Sequence, residues 1–142
     1  MGWKTPGDPQ LSWVLVYTKL RAESWADANL RSQGFSTLYP LIAVRARRAP
    51  LFPRYLFVGF RGDHLPVALR STYGVQRIVE FDGRPARVPI DVIAGVAARM
   101  NEHGVVALES ARTGDPFAAR GQRDRVRALI KLAQAGFRVR SA

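Results

Sequence analysis

Pro50-Leu51-Phe52-Pro53-Arg54-Tyr55-Leu56-Phe57-Val58-Gly59-Phe60 is the stretch from which the rest of the chain is read. Behind its two prolines, the six residues Tyr55 to Phe60 are rich in aromatic and branched apolar side chains, the composition of a β-strand. Pro53 is assigned to the first strand position, where a missing N–H costs least. Alternate residues of a strand face opposite ways, so Leu56, Val58 and Phe60 share one face and Tyr55, Phe57 and Gly59 the other. Both faces are apolar, which predicts a central strand. The Tyr55/Phe57 face is either a second core face or an aromatic surface offered to a partner, and the pattern leaves both open.

At 142 residues the chain has room for one domain and a short appendage. Its 22 basic and 11 acidic residues give a formal charge of +11, nearly all of the cations being arginine. That balance favours a polyanionic partner. With no cysteine, disulfides and thiolate metal sites are excluded. Two separated histidines, His64 and His103, do not form a metal cluster. Neither a run of about 18 apolar residues nor an apolar leader is visible, so a soluble cytoplasmic protein is expected.

Residues 1–11 read as a flexible leader. Trp13-Val14-Leu15-Val16-Tyr17 has the length and apolarity of a strand buried on both faces. From Arg21 the period changes to that of a helix, with Ala22, Trp25, Ala26 and Leu30 on one face and Gly34 as its stop. By this pattern Trp25 reads as core. Phe35 to Val44 reads as one strand interrupted by Pro40. Arg45, Arg47 and Arg48 follow, and no acid occurs between Ile42 and Gly62. Such a cluster on a strand-to-strand loop can lie along a phosphate backbone, or it can be a solvated loop. Asp63 is a candidate cap for a short helix ending at Leu69, Val75 to Phe81 reads as a strand, and Asp82-Gly83 as a turn. Ile90, Ile93, Val96, Ala97 and Met100 line one face of a helix that starts at Pro89 and closes at His103-Gly104. These elements predict an α+β fold, an antiparallel four-stranded sheet flanked by helices, over residues 12–104. Residues 105–122 read as a linker. Within 123–142, Arg123 to Ala135 reads as a basic amphipathic helix with Val126, Leu129, Ile130 and Ala133 on its stripe. Gly136 closes that helix, and Phe137 to Arg140 alternates like a strand.

The chain carries no glycine-rich phosphate loop after a strand, no nucleophile elbow and no carboxylate pair at a catalytic spacing. A binding protein without cofactor, metal or small-molecule substrate is expected, rather than an enzyme.

Several stretches together resemble the N-terminal domain of the NusG/RfaH family of transcription elongation factors. They are Trp13 to Lys19, Leu30 to Phe35, Pro50 to Phe60, Arg70 to Val75 and Ile78 to Pro89, in the family's order and spacing. The proline-flanked aromatic strand and the lack of extra acidic loops look closer to the specialised RfaH-type paralogues than to housekeeping NusG. The resemblance implies a bacterial elongation or antitermination factor, acting as a monomer. An apolar patch of Phe52, Tyr55, Phe57, Phe81 and Ile93 would seat the clamp helices of the largest RNA polymerase subunit. His64 and Leu65, in the following turn, would reach the second large subunit, bridging the cleft and suppressing pausing. Lys19, Trp25, Asn29, Arg70, Ser71, Thr72 and Tyr73 would contact the non-template DNA strand. On this reading Trp25 is exposed, which conflicts with its place in the helical pattern.

The resemblance weakens at the C-terminus. The family's five-stranded KOW barrel is represented only by fragments, Gly114 to Ala118 and Arg125 to Arg140, so ribosome or Rho contacts through it are in doubt. Arg123–Ala135 is instead expected to form a helix that covers the Tyr55/Phe57 patch as an autoinhibitory cap. The alternative function is a standalone basic RNA- or ribosome-associated module, supported by the charge and by surface aromatics on a sheet.

Overall fold

The computed structural model describes residues 8–106 and 121–141, with the side chains of the last helix up to Gln134. The expected leader, but for its last residues, and most of the expected linker lie outside the described residues. The order is β1 (Leu11–Thr18), α1 (Glu23–Ser32), β2 (Ser36–Leu38), β3 (Leu41–Val44), β4 (Arg47–Pro50), β5 (Tyr55–Arg61), α2 (Val67–Arg70), β6 (Val75–Ile78), β7 (Glu80–Phe81), β8 (Arg84–Pro85), α3 (Ile90–Arg99) and α4 (Gln122–Ser141). The fold is α+β. Its main sheet has the order β2-β5-β1-β6 with every pairing antiparallel, and two hairpins, β3-β4 and β7-β8, stand beside it.

The central position of β5 follows from its two apolar faces. Leu56, Val58 and Phe60 pack with Val14 and Val16 of β1 against Ala26 and Leu30 of α1 and Leu69 of α2. Phe57 lies on the other face with Trp13 and Leu15, in a second core that takes in Ile93 and Val96 of α3 and Leu129 and Ala133 of α4. Helices therefore cover both faces, and the sheet is the middle layer. Trp13 pairs with Gly59 across the strands, and a Cβ on Gly59 would sit 2.9 Å from the indole. The glycine in the aromatic strand is the space the tryptophan occupies.

Several boundaries differ from the sequence reading. Leu11 is buried and opens β1, one residue inside the expected leader. The stretch 35–44 is two strands in two different sheets: β2 joins β5, and after Tyr39-Pro40 the chain turns away into β3. Residues 75–81 divide likewise at Val79, whose N–H donates to the Leu15 carbonyl (2.9 Å) and whose side chain is buried. Pro66, not Asp63, occupies the cap position of α2. Pro53 lies in a turn before β5, closed by the Tyr55 N–H on the Phe52 carbonyl (3.0 Å), with Arg54 at φ 73°. Proline second and a positive φ third is the geometry of a type II turn. The chain stays with the domain beyond residue 104, because Val106 donates to Leu41 and is buried. Finally, α4 continues through Gly136 to Ser141, so Phe137 to Arg140 is helix and not strand. A glycine inside a helix costs only about 1 kcal/mol relative to alanine and does not by itself end one.

Candidate functional site

The aromatic surface begins with the turn at Phe52. Its reversal sets Phe52 edge-on to Phe57, with centroids 6.1 Å apart and planes at 79°. Both rings are buried, as is Leu51 beside them, whereas Tyr55 is half-buried at the rim. The β1/β5 register puts Tyr17 opposite Tyr55, and their rings lie 5.1 Å apart. The Arg54 guanidinium sits 4.3 Å from the centre of the Tyr17 ring and that of Arg77 4.8 Å from it. Arg54 also donates to the Thr18 carbonyl (3.1 Å) and to Gln76 (3.0 Å), contacts that hold an arginine in a left-handed conformation it does not favour. Burial, and next the neighbouring Tyr17, raise the pKa of the Tyr55 phenol above its ordinary value, so Tyr55 is neutral at physiological pH.

The last helix packs on this surface, in the core that α3 also joins. Leu129 and Ala133 of α4 are buried in the same cluster as Leu51, Phe52 and Phe57, with Val126 and Ile130 packed against it. Arg125 is 2 % exposed, and its Nε donates to the Leu51 carbonyl (3.0 Å). Burial lowers the pKa of its guanidinium from the ordinary value. A buried charge is tolerated only where hydrogen bonds replace water, so Arg125 fixes the position of α4 on the turn before β5.

A second surface lies on the other side of the sheet. Gly74, at φ 93°, lets the turn after α2 close on α1; a Cβ there would meet Ala26 at 2.8 Å. Asn29 donates to the Tyr73 carbonyl (3.2 Å) and Lys19 N–H to the Gly74 carbonyl (2.8 Å). The result is a pair of parallel rings, Trp25 and Tyr73, with planes 1° apart and centroids separated by 6.0 Å. They are 54 % and 73 % exposed. Trp25 is therefore a surface residue and not core: α1 turns Ala26 and Leu30 inward, and Trp25 lies about 100° round the helix from Ala26, on the flank of that stripe.

Residues 11–96 match the family model described as NusG, transcription termination factor nusG. The chain belongs to the NusG family. It is a transcription elongation or termination factor of a non-enzymatic family whose members associate with RNA polymerase. The match covers the whole main sheet, both helices on its α1 side and α3 as far as Val96.

Within this NusG domain the residues singled out in the sequence fall into three places. Phe52, Tyr55 and Phe57 adjoin one another, with Phe81 half-buried against the same cluster and Ile93 fully buried in it. His64 is exposed, while Leu65 is half-buried and packs toward the α1-side core. Lys19, just past β1, and Trp25 and Asn29 of α1 meet the 70–74 turn at Gly74 and Tyr73; Arg70 and Ser71 are exposed on that same turn, Arg70 at 3.4 Å from Glu80. Thr72 belongs to that turn but points inward. Its hydroxyl donates to the Ala68 carbonyl (2.8 Å) and accepts from Gln33 (2.7 Å). The reading of the sequence missed Tyr17, Arg77 and Arg125. The first two are placed by cross-strand register, and the third lies one turn before Leu129 on the stripe of α4, where its charge argued against the burial that the period implies. Among the described residues no group of three or more His, Cys, Asp or Glu could hold a metal, and no helix is long and apolar enough to cross a membrane.

Proposed function

We propose that this NusG-family chain is an RfaH-like antitermination factor held in a closed state by α4. The observation that carries the reading is the aromatic cluster at β5 and the turn before it, buried in the core against which α4 packs while Tyr55 and Tyr17 stay accessible at its margin. Aromatic side chains on a rigid strand are the anchors that dominate protein interfaces. With α4 displaced, Phe52, Tyr55 and Phe57 form the face for the polymerase clamp helices. Phe81 lies at its border, and Ile93 supports the face from within the core. His64 and Leu65 reach across to the second large subunit. Trp25 and Tyr73, with Lys19, Asn29, Arg70 and Ser71, take the bases and phosphates of the non-template strand, and Thr72 holds the turn from inside. The factor works by bridging the cleft, as a monomer and with no bond made or broken.

The test is capture of core RNA polymerase by the full chain, by Leu129→Asp, and by Leu129→Asp combined with Tyr55→Ala. A carboxylate in the buried Leu129 site displaces α4, so the first variant is expected to capture more polymerase than the wild type. Adding Tyr55→Ala is expected to remove that capture. If the opened chain captures none, or if Tyr55→Ala leaves capture unchanged, the patch is not the polymerase interface.

A further inference from the structure

The β3-β4 hairpin carries charge that neither aromatic surface uses. Arg45, Arg47 and Arg48 are all exposed, and none of their side chains has a hydrogen bond or ion pair among the described residues. The arginines nearby are different: Arg54 is held by Thr18 and Gln76, Arg61 by Gln10 and Asp8, Arg70 by Glu80, and Arg87 by the Asp63 carbonyl. The base of the hairpin is fastened. Ile42 is buried, Leu41 exchanges backbone hydrogen bonds with Gly104 and Val106 (2.9 and 2.7 Å), and Leu51 N–H donates to Pro40 (2.9 Å). Its outer end, from Ala43 to Arg48, is exposed throughout. Arg45 opens the two-residue turn at φ 56°, a conformation that suits glycine and strains an arginine. An arginine kept where glycine would be more stable points to a use for its charge.

We infer that this arginine-tipped ribbon binds the phosphate backbone of double-stranded DNA, at a site separate from the Trp25/Tyr73 surface. Two features choose the duplex. Residues 41–50 contain no aromatic side chain, so the ribbon has nothing on which unpaired bases could stack. A two-stranded ribbon also matches the width of the B-form major groove, whereas the A-form major groove of RNA is too narrow for it. Arg47 and Arg48, adjacent on one strand, face opposite sides and can meet the phosphates of both groove walls, with Arg45 at the tip. Each contact is to phosphate, so the binding is independent of sequence.

The experiment is fluorescence anisotropy of the full chain with a short mixed-sequence DNA duplex, the same sequence as duplex RNA, and a single-stranded DNA, each over a salt series. Arg45→Gln/Arg47→Gln/Arg48→Gln is expected to weaken duplex DNA binding and to flatten its salt dependence by about 2 to 3 in log–log slope, at about 0.9 per lost phosphate contact. Single-strand affinity is expected to change much less. Arg45→Gly separates charge from folding: it is expected to melt no lower than the wild type while binding duplex DNA more weakly. An unchanged duplex slope, no measurable duplex binding by the wild type, or equal losses on single strands or duplex RNA would each overturn the inference. None of these readouts involves polymerase, so they stand or fall apart from the proposed function.

Discussion

The two aromatic surfaces of this domain contain similar side chains in opposite states. Phe52 and Phe57 are at most 1 % exposed in the core that α4 joins, whereas Trp25 and Tyr73 lie open at 54 % and 73 % with their rings held parallel. The closed surface is built from rings without polar atoms, which gain most from leaving water. The open pair carries an indole N–H and a phenol hydroxyl, and its position comes from the close approach at Gly74 and the Asn29 amide on the Tyr73 carbonyl rather than from burial. The difference teaches that aromatic content alone does not mark an interface. What matters is whether the ring is held by the core or by the backbone, because that decides what its removal costs.

Truncating one ring from each side separates the two surfaces most directly. Phe57→Ala is expected to lower stability by about 3–5 kcal/mol, as for other buried phenylalanines, while Trp25→Ala changes it by less than about 1 kcal/mol. Thermal denaturation of the two variants measures this, and equal losses would show that the open surface is part of the core after all. Tyr55 is accordingly the better probe of binding, since its half-exposed ring can be removed with less damage than Phe57. The next effect is smaller and local. Leu129→Ala is expected to cost about 2–5 kcal/mol of packing, most of it felt at α4, which meets the closed surface through Leu129, Ala133 and Arg125. Hydrogen exchange should then quicken at residues 122–134 and stay slow in β1 and β5. Uniform quickening would mean that α4 is integral to the domain and not a cover.

The strand at 55–60 was legible because both its faces are apolar over six residues, and its division into a Leu56/Val58/Phe60 face and a Tyr55/Phe57 face holds in the two cores. The helical stripe of α4 was legible for the same reason, since Leu129 and Ala133 recur at the helical period. Cross-strand information was not. Tyr17 joins Tyr55 only through the β1/β5 register, which no single stretch encodes. The break at Tyr39-Pro40 divides an apolar run with Leu38 and Ile42 buried on either side, and that at Val79 follows the buried Ile78 with no turn residue to mark it, so the residue types do not announce the change of partner strand. Trp25 shows the limit of periodicity. It was grouped with Ala26 and Leu30, yet it sits at the flank of their stripe, and a broad apolar stripe does not say which of its borders the core covers.

The finest comparison is between the two rings of the open pair. Tyr73 sits on a turn held by Gly74 and by Asn29, while Trp25 is carried by a helix whose next residue, Ala26, is fully buried. Both rings are therefore presented on fixed backbone, and each can stack a base at little ordering cost. A stacked base is worth about 1–3 kcal/mol, so Tyr73→Ala is expected to weaken single-stranded DNA binding by roughly that amount and to leave its salt dependence unchanged, because no phosphate contact is lost. Anisotropy titrations across salt check both parts. An altered slope would mean that Tyr73 serves to position Arg70 or Lys19 rather than to stack. An unchanged affinity would mean that the parallel rings are exposed without being used, and the two aromatic surfaces would then differ in function as well as in burial.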